Sequence, residues 1–215
     1  MSGHPARSAP TRRAVVRRLG ATGILFAGLC QLTCRPLFAA PRRPQLTGPI
    51  IDDLSHPAPR ATIGQDWTLV TDQVMGGVSA GRLTREDVAG RAALRLRGPV
   101  RLENNGGFIQ MALDLAGDGG PVDASAFIGI ELDVLGNNET YNTHLRTSDL
   151  TRPWQSYRQP FEARGVWKTH RLPFTEFEAH RTETPFDPAR VRRIGIVAIG
   201  RAFEADLAVG GVRFY

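Results

Sequence analysis

The sequence predicts an all-β fold, specifically a β-sandwich or jelly roll, on three observations. Apolar and polar residues alternate in runs of about six to eight residues, as expected for strands with one buried face. Clusters of Gly, Asn and Asp, such as residues 104–107, separate these runs and are typical of turns. No stretch before residue 174 shows the period of an amphipathic helix. Many short strands in one domain of this size favour a sandwich or jelly roll.

The elements follow in chain order. Residues 67–71 predict a strand, and the alternating runs that come after it span residues 92–98, 108–115, 128–135, 141–148, 155–163 and 166–172. The continuous apolar run 192–200 predicts a strand buried on both faces, and residues 205–215 predict the last strand. Short helical turns are predicted near 175–177 and at 187–190, where Asp187 caps the turn and Pro188 takes its first position.

The positive charge of the chain is confined to its first 40 residues. The chain has 215 residues with 27 basic and 21 acidic side chains, and six of its arginines but none of its acidic residues lie in residues 1–40. The remaining 21 basic residues balance the 21 acidic ones. The high isoelectric point therefore does not indicate a nucleic-acid partner.

Residues 1–40 have the layout of an export signal. Arg12-Arg13 precede an apolar stretch, 19–32, and small residues follow at Ala39-Ala40, which resembles the twin-arginine signal of bacteria. The apolar stretch is shorter than the ~20 residues that a membrane-spanning helix needs. Cleavage near Ala40 predicts a periplasmic protein without a transmembrane segment. A general secretory signal and an uncleaved leader that anchors the protein to the inner membrane are the alternatives.

The domain proper is predicted to span residues 63–215. Residues 41–62 are rich in proline and predict a linker, with one apolar pair at Ile50-Ile51 that leads into a first short strand. Both cysteines, Cys30 and Cys34, lie in the leader, so the exported chain has neither a disulfide nor a cysteine ligand for a metal.

No pattern in the sequence indicates an enzyme, a cofactor or a metal site. The histidines lack metal-ligand spacing, the serines lack the context of a nucleophile elbow, and there is no phosphate-binding loop. The candidate binding surface is instead one face of the strand 141–148, with Asn142, His144 and Arg146, to which we add Tyr157. This face could bind a ligand such as a glycan, or it could be the solvated side of a sheet.

The segment DQVMGGVS, residues 72–79, is predicted to form a structural corner that borders a binding surface. Asp72 can accept hydrogen bonds from amides of the turn, and Gly76-Gly77 allow positive φ or a close backbone approach. Met75 is expected to fill an irregular gap, and Ser79 begins the next segment. A hairpin without a further role is the alternative.

Several motifs together resemble the complex I intermediate-associated protein 30 family. They are Trp67…Asp72-x-Val-Met-Gly-Gly-Val-Ser79, Asn104-x-Gly106-Gly107-Phe108, Tyr141-x-x-x-Leu145-Arg146-Thr147 and Trp167…Leu172-Pro173-Phe174-x-x-Phe177. The resemblance spans about residues 63–215. It implies a galactose-binding-domain-like jelly roll and a non-enzymatic role.

The resemblance also implies a protein partner. Mitochondrial members of this family are assembly factors that associate with partly built respiratory complex I, so a respiratory or envelope complex is the expected partner here. The alternative hypothesis is a periplasmic carbohydrate-binding module, motivated by the implied fold and by the face that carries Asn142, His144 and Arg146.

Overall fold

Twelve strands and four 3₁₀ turns, without an α-helix, make up residues 48–215, which are the part of the chain that the computed structural model describes. The strands are β1 Ile50–Asp52, β2 Thr68–Thr71, β3 Arg82–Val88, β4 Arg91–Val100, β5 Phe108–Asp114, β6 Gly129–Gly136, β7 Glu139–Thr147, β8 Ser156–Ala163, β9 Lys168–Pro173, β10 Glu178–His180, β11 Val191–Ile199 and β12 Phe203–Phe214. The 3₁₀ turns are Asp72–Met75, Glu103–Asn105, Phe174–Glu176 and Pro188–Arg190.

The strands form two antiparallel sheets that pack as a sandwich. The first sheet has the order β3-β4-β12-β6-β9, with β1 paired to the end of β12, and the second has the order β10-β8-β7-β11-β5-β2. Except for the consecutive pairs β3-β4 and β7-β8, neighbouring strands in each sheet are not consecutive in the chain, so most strand pairing depends on contacts that no local pattern contains. The predicted all-β sandwich is confirmed.

The core lies between the two sheets and is filled by alternate residues of each strand. Leu96 and Leu132 enter it from the first sheet, and Ile109, Leu145 and Ile196 enter it from the second. β11 is also largely buried on its other face, as the continuous apolar run predicts, since Gly195 and Val197 are buried there.

The amino-terminal part of the described chain belongs to the sandwich and is not a linker. Ile51 in β1 is completely buried in the core, and β1 pairs with β12. Asp52, also buried, accepts a hydrogen bond from the indole Nε1 of Trp67 at 2.8 Å and pairs with Arg85 at 3.3 Å. The prediction of a linker over 41–62 is therefore wrong from β1 onward, since a proline-rich composition does not show which single residues reach the core.

Two further features concern local sequence signals. The carboxylate of Asp187 accepts a hydrogen bond from the Ala189 amide at 2.9 Å with Pro188 in the first position, so the predicted cap is confirmed. β3 was not predicted, because it is an edge strand whose charged side chains hide the alternation.

The predicted export signal lies outside the described residues. Within residues 48–215, no helix is long and apolar enough to cross a membrane.

Candidate functional site

The corner at residues 72–79 is built around a buried carboxylate. Asp72 directly follows β2 and is completely buried. The Ser79 amide donates to its Oδ1 at 2.9 Å, and the Ser79 hydroxyl donates to its Oδ2 at 2.5 Å. The amides of Gly107 and Phe108 donate to the same Oδ2 at 2.5 and 3.3 Å. The predicted hydrogen bonding of Asp72 to a following amide is confirmed and extends to a second segment of the chain.

These hydrogen bonds keep the carboxylate charged. Burial by itself raises the pKa of Asp72, but hydrogen bonds from Ser79, Gly107 and Phe108 outweigh it and hold this pKa below its usual value. Ser79 extends the network, because its Oγ accepts a hydrogen bond from the Arg101 amide at 2.9 Å. Asp72 therefore joins the end of β2, the end of β4 and the start of β5.

The glycines of the two motifs make room for this carboxylate. A Cβ on Gly77 would lie 2.3 Å from Cγ of Asp72, and a Cβ on Gly106 would lie 2.4 Å from its Oδ2. Gly76 has a φ of +89°, in the left-handed region that glycine adopts without strain. Asn104 lies in an exposed turn with a φ of +57°, which asparagine tolerates.

The same corner exposes apolar side chains. Val74 is 76% exposed, Met75 62% and Val78 45%. The prediction that Met75 fills a gap is wrong, because the 3₁₀ turn directs Asp72 inward and presents the next apolar residues to solvent. Gln73 closes this loop by donating from Nε2 to the Ser79 carbonyl at 3.0 Å. We call Val74, Met75 and Val78 the apolar loop.

A groove runs along β2 beside the apolar loop. It has a volume of about 550 Å³, and its lining includes Leu69, Thr71, Val74 and Ala80. Leu69 is itself partly exposed. The loop and the groove therefore present apolar surface next to each other at β2, which is an edge strand of the second sheet among the described residues.

The second candidate site is the outer face of β7. Asn142, His144 and Arg146 project from this face, and Leu145 projects into the core, as the alternation predicts. The imidazole of His144 is only 8% exposed, and its Nε2 has no hydrogen-bond partner among the described residues. This part of the face is therefore not an ordinary solvated surface.

The environment of His144 keeps its imidazole neutral at physiological pH. Burial, followed by the charges of Arg158 and His180, lowers the pKa of His144 to about 3. Arg158 lies directly opposite His144 in the pairing of β8 with β7.

Tyr157 does not belong to this surface, so that part of the prediction is wrong. It pairs with Leu145 across β7 and β8, and therefore points into the core, where it is 1% exposed. Its hydroxyl donates to the carbonyl oxygens of Thr184 and Pro185 at 2.9 and 3.1 Å. The ring packs edge-on against Phe186 with centroids 5.0 Å apart.

Sequence reasoning missed the residues of other strands that lie opposite His144 and Arg146. Arg158 of β8 and Arg193 of β11 lie beside β7 in the register of the sheet. Because Arg158 lies two residues after Ser156, the alternation assigns both residues to the same face of β8. The alternation does not show that Arg158 lies next to His144. Within residues 48–215, no group of three or more His, Cys, Asp or Glu side chains could hold a metal ion.

The sandwich is similar to solved carbohydrate-binding modules. The family 11 module of a cellulosomal cellulase of Clostridium thermocellum superposes with a TM-score of 0.61 at 11% identity, covering 79% of this chain and 94% of the module. A family 11 module from the same organism, in complex with a β-1,3-1,4-mixed-linked tetrasaccharide, has a TM-score of 0.60 at 12% identity, with 77% and 94% covered. At these identities the likeness is one of fold.

The sequence comparisons concern the family. No curated protein sequence matches this chain. The family model described as Complex I intermediate-associated protein 30 (CIA30) matches residues 59–209, which include the corner, the second glycine motif and β7. The match spans most of the chain and agrees with the motifs that surround Asp72, and we conclude that this chain belongs to the Complex I intermediate-associated protein 30 family.

Proposed function

We propose that this protein is a non-enzymatic protein-binding factor that assists the assembly or stability of a membrane-bound respiratory complex. The observation that carries the proposal is the apolar loop, whose side chains are mostly exposed although the loop is tied to the core through Asp72. Apolar groups that a folded domain holds in solvent are typical of interaction sites. Membership of the family supports a respiratory complex as the partner.

The anchoring of the loop favours binding. The buried Asp72 and the bond from Gln73 to the Ser79 carbonyl hold the loop in one conformation. A pre-ordered loop loses little conformational entropy when a partner covers it, so more of the contact energy contributes to affinity. Met75 adds an unbranched side chain that adapts to an irregular partner surface.

The experiment replaces the apolar contact with charge. The double variant Val74→Asp, Met75→Asp should fold like the wild type, because both side chains are exposed, and should lose capture of respiratory-complex subunits from solubilised membranes. Val166→Asp is the matched control, since Val166 is 65% exposed on the loop before β9 and its replacement should leave capture intact. Partners are identified by mass spectrometry, and melting is followed in parallel. Equal capture by the double variant and the wild type would refute the role of the apolar loop.

A carbohydrate-binding module is the second candidate. It is favoured by the outer face of β7, which carries Asn142 and His144, whose Nε2 has no hydrogen-bond partner within residues 48–215. A bound oligosaccharide at about 100 times its dissociation constant would stabilise the fold by about 2.7 kcal/mol. A rise in melting temperature with a β-1,3-1,4-linked tetrasaccharide, without capture of any membrane protein, would favour this alternative over the assembly role.

A further inference from the structure

The outer faces of the two sheets differ in how their arginines are paired. On the first sheet, Arg95 pairs with Asp206 at 2.6 Å and Arg97 pairs with Glu86 at 2.9 Å. The same sheet carries Arg213, whose guanidinium contacts both Glu131 and Asp133. The positive charges of these arginines are therefore compensated within the protein.

The second sheet carries arginines without such partners. Among residues 48–215, no carboxylate forms an ion pair with Arg146, Arg158, Arg181 or Arg192. The nearest acidic residue of β5, Asp114, is engaged by Arg193 at 2.6 Å.

These four arginines share one region of the sheet. Arg158, Arg146 and Arg192 lie on β8, β7 and β11, which are neighbours about 4.8 Å apart, and Arg181 follows β10. Glu178 lies opposite Arg158 in the register of β10, yet it is exposed and makes no ion pair with it. Positive charge exceeds negative charge across this region, which we call the cationic face.

Two guanidinium groups of the cationic face, those of Arg146 and Arg158, are held in place by hydrogen bonds. Arg146 donates to the Arg152 carbonyl at 2.9 Å, and the Nε of Arg158 donates to the Ser156 hydroxyl at 2.9 Å. Burial, followed by the charges of Arg192 and Arg193, lowers the pKa of Arg146, and the charge of Asp114 offsets part of this effect. Such an arrangement costs free energy until an anion neutralises it.

Unpartnered nitrogen atoms mark the centre of this face. His144 is more than nine-tenths buried, and its Nε2 has no partner among the described residues. The Nε atoms of Arg146 and Arg192 are buried and likewise without a described partner. Buried Nε atoms without a described partner also occur at Arg85 and Arg97 of the first sheet, so the buried Nε2 of His144 is the distinguishing observation. Buried polar atoms in folded proteins are nearly always hydrogen-bonded, and the tautomer of His144 that carries its proton on Nε2 would donate to an acceptor oxygen of a ligand.

We propose that the cationic face binds a carboxylate-rich segment of a partner protein. The inference rests on the proposed protein-binding function and adds the chemistry of one contact. Guanidinium groups pair with carboxylates through two parallel hydrogen bonds, and their spread over neighbouring strands suits a segment with several acidic side chains. Arginine and tryptophan are also frequent in protein interfaces, and the exposed Trp154 lies in the loop whose Arg152 carbonyl accepts from Arg146.

An acidic glycan fits this face less well. Sugar rings are commonly bound by stacking on Trp or Tyr. The outward positions of β7, β8, β10 and β11 carry no Phe, Tyr or Trp, and the exposed Trp154 lies beside the sheet, in the loop between β7 and β8. The tyrosines of β7 and β8 point into the core instead.

The test measures binding of a fluorescent poly-L-glutamate peptide to the purified protein by anisotropy. The double variant Arg146→Gln, Arg158→Gln should bind about tenfold or more weakly than the wild type. The control, Arg82→Gln with Lys168→Gln, removes the same charge from exposed and unpaired positions on the first sheet and should stay within about twofold of the wild type. Equal losses in both double variants, or no loss in either, overturn the proposal.

Two further arms complete the test. Arg192→Gln alone should weaken binding, and it keeps the test valid if the double variant melts early, because the Arg192 side chain makes no hydrogen bond with a described residue. In the other arm, polygalacturonate, an acidic glycan, replaces the peptide. If the protein binds polygalacturonate more tightly than it binds the poly-L-glutamate peptide, the proposal that the ligand is an acidic protein segment is overturned.

Capture from membranes separates this inference from the proposed function. If the wild-type protein captures no respiratory-complex subunit, the proposed function fails. If it captures such subunits and the cationic-face variants capture them equally well, only the inference about acidic segments fails.

Discussion

At the scale of single residues, one buried carboxylate explains two of the sequence motifs of this domain, those at residues 72–79 and 104–108. Asp72 accepts hydrogen bonds from Ser79, Gly107 and Phe108, and the glycines of both motifs leave the space that these bonds require. Ordinary packing would favour an apolar residue at a position that is completely buried. The charged residue is tolerated because amide and hydroxyl donors replace the water that it loses.

Gly77→Ala should therefore destabilise the domain. Its Cβ would lie 2.3 Å from Cγ of Asp72, and relieving such a clash in a packed site costs about 1–3 kcal/mol. Gly165→Ala is the matched control, since its Cβ would meet no atom closer than 3.9 Å and should change stability by less than about 0.5 kcal/mol. Chemical denaturation measures both. Identical unfolding midpoints for the two variants would show that the site around Asp72 accommodates a side chain at residue 77 and does not require glycine there.

At the scale of elements, β1 shows that a very short strand can pair with a sheet of the sandwich and contribute a residue to its core. It pairs with the end of β12 and contributes Ile51 to the core, while the neighbouring Ile50 is 46% exposed. Asp52 then binds the indole of Trp67 and the guanidinium of Arg85, which links β1 to β2 and β3.

The two adjacent isoleucines provide a test of β1. Ile51→Ala should lower the free energy of unfolding by about 2–5 kcal/mol, because it removes a completely buried side chain. Ile50→Ala removes the same atoms from a partly exposed position and should cost less than about 1 kcal/mol. Urea denaturation of the two variants measures the difference. Small and equal effects would mean that this segment behaves as a linker in solution.

At the scale of the whole molecule, the charge is organised in three parts. The basic leader, residues 1–40, contains six arginines and no acidic residue. The first sheet neutralises most of its arginines, such as Arg95 and Arg97, with its own carboxylates, whereas within residues 48–215 no carboxylate forms an ion pair with the four arginines of the cationic face. The balanced net charge of residues 41–215 therefore conceals two surfaces of different character.

We propose that the leader directs export by the twin-arginine route and is removed near Ala40. The variant Arg12→Lys, Arg13→Lys should then stay in the cytoplasm, because that route recognises the arginine pair itself. Arg7→Lys, a change in the same leader outside the pair, should leave export intact. Cell fractionation with immunoblotting measures the distribution. Normal periplasmic accumulation of the double variant would exclude the route and favour a general secretory signal.

The sequence by itself determined most of the strands, the turns between them and the position of the corner at residues 72–79. Alternation of apolar and polar residues is local, so it predicted most strands and the outward direction of Asn142, His144 and Arg146. The segment DQVMGGVS, residues 72–79, is also a local pattern, so the sequence alone indicates that Asp72 accepts hydrogen bonds from amides of the turn.

Only the tertiary structure decided which residues meet. The clustering of Arg146, Arg158 and Arg192 depends on β7 lying between β8 and β11, and no local pattern specifies that order. The same limit explains why Tyr157 was assigned to a surface although it packs in the core, and why Met75 was expected to be buried. Alternation predicts that a strand has two faces, but strand pairing and sheet packing determine which face is covered and which side chains share it.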